Sequence, residues 1–300
     1  MPQWKNYLKG LYDTKPEKLQ ILVTGSARLE TFRKTGDSLA GRFFVHHLLP
    51  LSLKEIEGSD YTNDLERIIE RGGFPEPFLA TNVTDAKRWR ENYLDSLLRE
   101  DIIEFSDINK HAELRTVFEI LRTKVGSPIS QKNIADDVGI SPVTVKRYIE
   151  IFEALYIIFT IPTYTKKVTR SILKEKKVYF FDTGLVKGDD GAVFENLVAL
   201  ALKKDILFKR DTEAFLGELK FLKNKEKKEV DFVLTDDGGN IKQLVEVKVS
   251  DKQLSKTLRY FGENLQVPGV QVVKNLPLGR REGELFEVRE ARDFLKRLAL

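Results

Sequence analysis

The chain has no cysteine and three histidines among its 300 residues. The lack of cysteine excludes structural disulfides and thiolate-ligated metal sites, and the scarcity of histidine disfavours a His-based zinc site. No apolar run approaches the ~18 residues that span a bilayer, and the N-terminus has no charged-then-apolar leader. The sequence therefore predicts a cytoplasmic protein without a membrane partner.

The chain has enough apolar residues to build real cores. Hydrophobic residues make up 41% and charged residues 32%, which is typical of folded globular proteins rather than disordered ones. A chain of 300 residues is expected to form two or three domains. The formal net charge of +4 is mild, so it permits nucleic-acid binding without arguing for it.

One stretch, 228–250, contains two segments of alternating apolar and polar residues joined by Gly238 and Gly239. Paired glycines between such segments predict a β-hairpin with a two-residue turn. That turn places Asp231 directly opposite Glu246, and Glu229 opposite Lys248. The expected core face of this hairpin is the set Val230, Phe232, Leu234, Val245, Val247 and Val249, with the charged residues on the reverse face.

Two carboxylates directly opposite each other on neighbouring strands repel unless they share a proton or a cation. Lys248 lies on the same face as Glu246, because strand side chains repeat every second residue. Asp231, Glu246 and Lys248 are the groups that a Mg²⁺- or Mn²⁺-dependent phosphodiesterase needs. The alternative is a solvated hairpin whose charges only keep it soluble.

Asp231 and the run Glu246-Val247-Lys248 resemble the signature of the PD-(D/E)XK, or restriction-endonuclease-like, proteins. The resemblance implies that Asp231, Glu246 and Lys248 are catalytic. It also implies that Glu195, on a helix predicted over 191–205, joins Asp231 and Glu246 in binding the metal. The alternative for Glu195 is stabilisation of the helix N-terminus, which favours acidic residues.

The N-terminal segments resemble the second half of a prokaryotic AAA-type ATPase. A buried strand is predicted over 19–26 and a strand-like segment over 43–56. The resemblance implies that Thr24 or Ser26 is a nucleotide-sensing residue and that Arg42 reaches the nucleotide of a neighbouring subunit. The alternatives are a structural role for the two hydroxyls and an ordinary surface arginine at position 42.

The phosphate-binding G-x-x-x-x-G-K-[ST] loop of these ATPases is missing, as is an apolar strand ending in Asp-Glu. The loop binds the phosphates and the acidic strand holds Mg²⁺. We therefore do not expect this chain alone to bind ATP or to be a self-sufficient ATPase. A truncated or split ATPase is expected, with an ATPase partner subunit or self-association completing it.

The segment 113–167 has the pattern of a winged helix, a helix-turn-helix followed by strands. Ser141 is a natural N-cap of the third helix, and Pro142 fits its first position. Such a helix enters the DNA major groove, so DNA is the expected partner. The alternative is packing against the ATPase half. The candidate DNA contacts are Thr144, Lys146 and Arg147 of the helix and Lys166, Lys167 and Arg170 of the wing.

The sequence thus predicts a multidomain α/β protein. Its expected parts are a partial AAA-type α/β core over 1–58, a helical lid-like segment over 59–110, a winged helix over 111–172 and a restriction-endonuclease-like α/β domain over 173–300. The expected function is DNA processing by a Mg²⁺-dependent endonuclease derived from, or acting with, an AAA-type ATPase. The alternatives are a non-catalytic module that binds DNA or a partner, and an ATP-binding subunit completed by another chain.

Overall fold

A computed structural model of the chain describes residues 4–25, 39, 41–58, 64–98, 111–165, 175–250 and 253–298. The α-helices are α1 (Trp4–Thr14), α2 (Asp64–Arg71), α3 (Pro75–Leu79), α4 (Val83–Ser96), α5 (His111–Arg122), α6 (Gln131–Val138), α7 (Pro142–Ala154), α8 (Asp190–Glu213), α9 (Lys256–Leu265) and α10 (Ala291–Lys296). The strands are β1 (Pro128–Ile129), β2 (Ile158–Pro162), β3 (Lys176–Phe180), β4 (Leu219–Lys223), β5 (Glu229–Thr235), β6 (Ile241–Lys248), β7 (Gly269–Val273), β8 (Arg280–Glu282) and β9 (Phe286–Glu290). The molecule is therefore a mixed α/β protein with two sheets.

The N-terminal part contains helix α1 and extended chain, and its strand predictions are wrong for the residues that the structure describes. Residues 19–25 and 43–49 pair with no strand there. Their apolar side chains face solvent, with Leu22 89%, Phe44 93% and Leu48 98% exposed. An apolar run becomes a buried strand only when a neighbouring strand and a covering layer are present, and the described residues supply neither.

Helices α2 to α4 form a helical segment between the N-terminal part and the rest of the chain. The paired glycines and prolines of 72–77 make the predicted turn, with Gly72 at φ +74° and α3 as a five-residue helix. Trp89 stacks on Tyr93 at 4.9 Å between ring centroids. This stripe is packing, as helical spacing of aromatic residues usually is.

Helices α5, α6 and α7 are accompanied by a three-stranded antiparallel sheet in the order β1-β3-β2, in which β1 lies between α5 and α6 and the other two strands follow α7. The predicted helix boundaries are confirmed where their caps were read from the sequence. The hydroxyl of Ser141 accepts a hydrogen bond from the backbone N–H of Thr144, and Pro142 begins α7. Gly139 ends α6 in the left-handed conformation at φ +77°.

The C-terminal part is built on a six-stranded mixed sheet in the order β4-β5-β6-β7-β9-β8. Strands β6, β7 and β9 are parallel, and β4, β5 and β8 pair antiparallel with their neighbours. Both faces are covered. A large core that includes Phe232, Val245 and Val247 lies on one side, and a second core that includes Val230, Val233, Leu244 and the α9 residues Leu258 and Phe261 lies on the other.

Helix α8 continues to Glu213, so the prediction that it ends at 205 and that strand begins at 206 is wrong. Ile206 and Leu207 are buried and continue the apolar side of the helix beyond 205. The chain leaves the helix at Ala214, which adopts the left-handed conformation at φ 56°. A short apolar run cannot be assigned to helix or strand from its periodicity alone.

The turn of the β5–β6 hairpin contains three residues rather than the predicted two. Asp236 and Asn240 close it with a backbone hydrogen bond of 2.9 Å, and Gly239 lies at φ +77°. A register shift between Leu234 and Thr235 absorbs the extra residue. The ladder beyond the shift pairs Phe232 with Val245, so the predicted register of the hairpin centre is confirmed.

No helix of the described ranges combines the length and the apolarity that crossing a membrane requires.

Candidate functional site

Asp231 lies at a β-bulge in strand β5. Two β5 residues, Asp231 and Phe232, face the single β4 residue Phe221, because the pairing shifts from Lys220↔Val233 to Leu222↔Val230. The shift moves Val230 from the predicted core face to the opposite core, so that part of the predicted core face is wrong. Bulges bend a strand and redirect its side chains, often beside functional sites.

The carboxylate of Asp231 is held firmly in place. Its Oδ2 accepts a hydrogen bond of 2.8 Å from the backbone N–H of Val247 in the next strand. Its Oδ1 lies 3.9 Å from the ammonium nitrogen of Lys177. The side chain is 17% exposed, so one edge of the carboxylate still reaches solvent. Asp231 is therefore oriented by the same strand that carries Glu246 and Lys248.

Glu246 has one satisfied carboxylate oxygen and one unsatisfied one. Its Oε1 accepts a hydrogen bond of 2.8 Å from the ammonium of Lys248 and one of 3.4 Å from the hydroxyl of Ser255. Its Oε2 is buried without a hydrogen-bond partner, and the side chain is 6% exposed. A buried carboxylate oxygen without a partner is costly, and a bound cation removes that cost.

Lys248 lies beside Glu246 rather than opposite Glu229. Its side chain is 35% exposed and makes the 2.8 Å contact with Glu246. Glu229 instead pairs with Lys177 at 2.7 Å and with Lys223 at 3.4 Å. The bulge next to Asp231 breaks the side-chain alternation on which the Glu229–Lys248 prediction depended.

Glu195 is brought to the same region by helix α8. Its Oε1 accepts a hydrogen bond of 2.8 Å from the phenol of Tyr179 and lies 3.5 Å from the ammonium of Lys177. A Cβ atom at Gly126 would lie 2.8 Å from both Glu195 carboxylate oxygens. The loop before β1 therefore closes over this carboxylate, and only glycine fits there.

Lys177 is the residue of this region that sequence reasoning missed. It belongs to strand β3 of the other sheet, and its side chain is 1% exposed. Its ammonium lies within 4 Å of three carboxylates, those of Glu195, Glu229 and Asp231. No local sequence pattern predicts this role, since the contact joins two sheets. From the sequence, the run 175–177 indicates only the charged start of a strand.

Burial, followed by the charge of Asp231, raises the pKa of Glu246 to about 7. The pKa of Glu195 is also raised to about 7, first by burial and then by Asp231. Burial raises the pKa of Asp231 as well. Burial alone would lower the pKa of Lys177, yet Glu195, Asp231 and Glu229 raise it above its ordinary value. The carboxylates of this region outnumber the cations beside them, which is typical of metal and catalytic sites.

Two carboxylates of this site fit a magnesium ion. Asp231 and Glu246 supply only oxygen donors, which Mg²⁺ prefers, and Mg²⁺ is commonly held by one or two carboxylates with water completing its shell. The unsatisfied Oε2 of Glu246 supports this fit. Within the described ranges, however, no three His, Asp or Glu side chains converge as a metal cluster. Glu195, the predicted third ligand, is engaged by Tyr179 and Lys177.

The predicted DNA contacts of helix α7 lie at its N-terminal end. Lys146 and Arg147 are exposed, and Thr144 is half-buried with its backbone N–H capped by Ser141. Lys146 lies 3.8 Å from Glu150 one turn later. The predicted wing residues Lys166, Lys167 and Arg170 lie outside the described residues.

Of the predicted nucleotide-related residues, Thr24 and Arg42 lie in the described part of the chain. Arg42 pairs with Asp13 of helix α1 at 3.0 Å. Thr24 is exposed, and Ser26 lies outside the described residues. This ion pair of Arg42 lies within its own N-terminal segment.

Three family models match successive parts of the chain. The description "AAA domain" matches residues 1–57, and two domains of unknown function, DUF8612 and DUF4143, match 62–188 and 190–281. The first of these matches relates the N-terminal part of the chain to AAA domains. The AAA match covers the segment in which sequence reasoning found the same resemblance.

The relatives that match are uncharacterized proteins. Those from Mycobacterium bovis and Mycobacterium tuberculosis are each 24% identical over 60% of this chain and 40% of their own length. One from Haemophilus influenzae is 22% identical over 84% of this chain and 69% of its own length. The chain thus spans about 40% of the mycobacterial relatives. No solved structure matches the chain.

Proposed function

We propose that this AAA-related chain is a DNA-processing protein and that its C-terminal part is a metal-dependent phosphodiesterase of the restriction-endonuclease-like kind. The observation that carries the proposal is the pairing of an unsatisfied, buried carboxylate oxygen on Glu246 with a lysine ammonium 2.8 Å from the other oxygen. Asp231, fixed by the backbone of Val247, supplies the second carboxylate.

Each residue has a distinct part in the proposed reaction. Asp231 and Glu246 hold Mg²⁺ or Mn²⁺, which when bound polarises the phosphate and lowers the pKa of an attacking water. Lys248 is the most exposed of the three, at 35%, and therefore stands where a phosphate group approaches. Its ammonium stabilises the negative charge that develops on the phosphate oxygens. Glu195 contributes negative charge at the inner side of the site.

The helices α5 to α7 and the sheet β1-β3-β2 have the order of a winged helix, and in this proposal they bring DNA to the site. Lys146 and Arg147 are exposed at the start of α7, where a recognition helix contacts phosphates or bases. Strand β3 belongs to that sheet and also places Lys177 beside Glu229. The DNA-binding and cleavage parts would thus be joined directly.

Plasmid cleavage with Mg²⁺ or Mn²⁺ tests the proposed activity. Asp231→Asn and Lys248→Ala are each expected to lower the cleavage rate by roughly a hundredfold or more, because each removes a group that acts on the transition state. The matched control is Lys242→Ala, since Lys242 lies on the same strand with 67% of its side chain exposed. Cleavage that survives both site variants would assign the activity elsewhere.

A non-catalytic role is the second candidate, and the contacts of Lys177 favour it. Its ammonium already balances Glu195, Glu229 and Asp231, and the described residues show no cluster of three metal-binding groups. In that case the chain binds DNA or an ATPase partner without cutting. Salt-dependent DNA binding with no cleavage under any divalent cation would establish this alternative.

A further inference from the structure

The acidic region contains more negative than positive charge, and one cation within it comes from outside its own sheet. Its carboxylates that are at most 24% exposed are those of Glu195, Glu229, Asp231 and Glu246, and its ammonium groups are those of Lys177, Lys223 and Lys248; the mostly exposed Glu175, 3.7 Å from Lys223, is not counted. With every group ionised, one negative charge remains. Without Lys177 two remain, which is the charge that one divalent cation neutralises.

Lys177 lies at the centre of this group. Its Nζ lies 2.7 Å from Glu229, 3.5 Å from Glu195 and 3.9 Å from Asp231. Its 1% exposure means that the ammonium has exchanged water for these carboxylates. A buried ammonium is retained only when carboxylates compensate it this fully. Two of these carboxylates, Glu195 and Asp231, are also among the three predicted metal ligands.

The contact is fixed by the fold. Strand β3 pairs with β1 and β2, with Lys177 opposite Pro128 and Ile161. Tyr179, two residues along the same face, donates a hydrogen bond to Glu195. The β1-β3-β2 sheet thus presents two donors, Tyr179 and Lys177, to the acids of helix α8 and strand β5. At the other side of the group, Glu246 Oε2 has no hydrogen-bond partner. Lys177 therefore does not supply a hydrogen bond to every buried carboxylate oxygen of the group.

We propose that Lys177 is an internal competitor of the divalent cation: its ammonium occupies the carboxylates of Glu195 and Asp231, so that metal binding is weak until Lys177 moves away. This inference rests on the proposed metal site of Asp231 and Glu246. It assigns to the β1-β3-β2 sheet control over the metal affinity of the C-terminal sheet. Movement of that sheet, as on DNA binding, would then admit the metal.

The direct test measures Mn²⁺ affinity by electron paramagnetic resonance of the free ion, without any activity assay. Lys177→Met keeps the length and apolar packing of the side chain and removes its charge. We expect it to bind Mn²⁺ about tenfold or more tightly than the wild type, because a positive charge close to the metal has been removed. The matched control is Lys223→Met, which removes the same charge next to Glu229 without contacting Glu195 or Asp231.

Equal affinity in Lys177→Met and Lys223→Met would overturn the proposal. Failure of the underlying metal site gives a different result: no Mn²⁺ binding in any variant, or binding that Glu246→Gln leaves unchanged. Wild-type Mn²⁺ binding that is lost in Glu246→Gln and unchanged in Lys177→Met would keep the metal site and reject only the competition.

A second measurement uses the wild-type chain, in case Lys177→Met does not fold. Lysine methylation followed by mass spectrometry compares Lys177 with and without saturating Mn²⁺. We expect protection without metal, because the side chain is 1% exposed, and increased labelling with metal. Labelling of Lys177 that does not change while Mn²⁺ binds through Glu246 would contradict the displacement.

Discussion

At the scale of single residues, the carboxylate of Glu246 is costly to bury, because only one of its two oxygens is hydrogen-bonded. One oxygen is satisfied by Lys248 and Ser255, and the other is buried without a partner. A protein that needed Glu246 only for structure would be more stable with an amide or an apolar residue there. The position is therefore better explained by something that binds to the carboxylate than by folding.

The raised pKa of Glu246 predicts how stability depends on pH. Burial and Asp231 raise its pKa from 4.5 to about 7, so between these values the native state holds a proton that the unfolded state has lost. The contribution of Glu246 to the unfolding free energy is then fully present below pH 4.5 and is lost as pH rises through 7. In EDTA, Glu246→Gln is expected to weaken this decline by up to about 1.4 kcal/mol per pH unit.

Urea unfolding at pH 5 and pH 8 measures the difference. Glu284→Gln, at an exposed position in the turn between β8 and β9, controls for the loss of one surface charge. If wild type and Glu246→Gln lose the same free energy between the two pH values, Glu246 does not carry the shift. Asp231 and Glu195, which share the region, would then be examined in the same way.

At the scale of elements, the parts that sequence reasoning predicted correctly are those set by neighbouring residues. Ser141 caps helix α7 and Pro142 begins it, because each signal depends on a few adjacent backbone groups. The hairpin register also follows from local alternation. The bulge at Asp231 could not be predicted, since it depends on how β4 pairs with β5.

Longer-range features were missed for the same reason. Residues 19–25 read as a buried strand from their composition, yet a strand forms only beside a partner. Strand β8 and strand β9 were not predicted, although the parallel pairing of β9 with β7 extends the sheet. Lys177 was read as part of a charged strand, and only the packing of one sheet against another brings it to Glu195 and Asp231.

The exposed basic residues of helix α7 are expected to contribute to DNA binding. Lys146→Ala with Arg147→Ala removes two exposed basic side chains from its first turns. We expect weaker DNA binding and a salt dependence lower by about one phosphate contact per residue, whatever the DNA sequence. Fluorescence anisotropy at several salt concentrations measures both quantities.

The control for this double variant is a second pair of adjacent basic residues on another helix. Lys87→Ala with Arg88→Ala removes the same charge from α4, where both side chains are exposed. Equal losses in the two double variants would mean that only net charge matters, and helix α7 would not be the DNA-binding element.

At the scale of the whole molecule, the described parts are linked by buried polar contacts between distant stretches of chain. Lys204 of α8 donates to the backbone carbonyl of Pro50 at 2.9 Å and pairs with Glu55. Helix α8 thus ties the AAA-like N-terminal part to the C-terminal sheet. The apolar side chains of Leu22, Phe44 and Leu48 in this part remain exposed.

A second link joins the helical segment to the chain after β3. Arg90 of α4 pairs with Asp182 at 2.7 Å, and the side chains are 7% and 2% exposed. The guanidinium also donates to the carbonyl of Arg71 at 2.8 Å and lies against Gly184, where a Cβ atom would lie 2.0 Å from it. Glycine at 184 is therefore part of the link, because any larger residue would displace Arg90.

Removal of this arginine is expected to destabilise the whole molecule. Arg90→Ala leaves Asp182 buried without its cation, and loss of one partner of a buried ion pair costs about 3 kcal/mol or more. Arg88→Ala on the same helix is the matched control, since its side chain is 74% exposed, and it should cost less than about 1 kcal/mol. Equal midpoints for the two variants in urea unfolding would show that α4 is not coupled to the chain after β3 through Arg90. A loss confined to Arg90→Ala and largely restored by adding Asp182→Asn would locate the cost in the unpaired carboxylate.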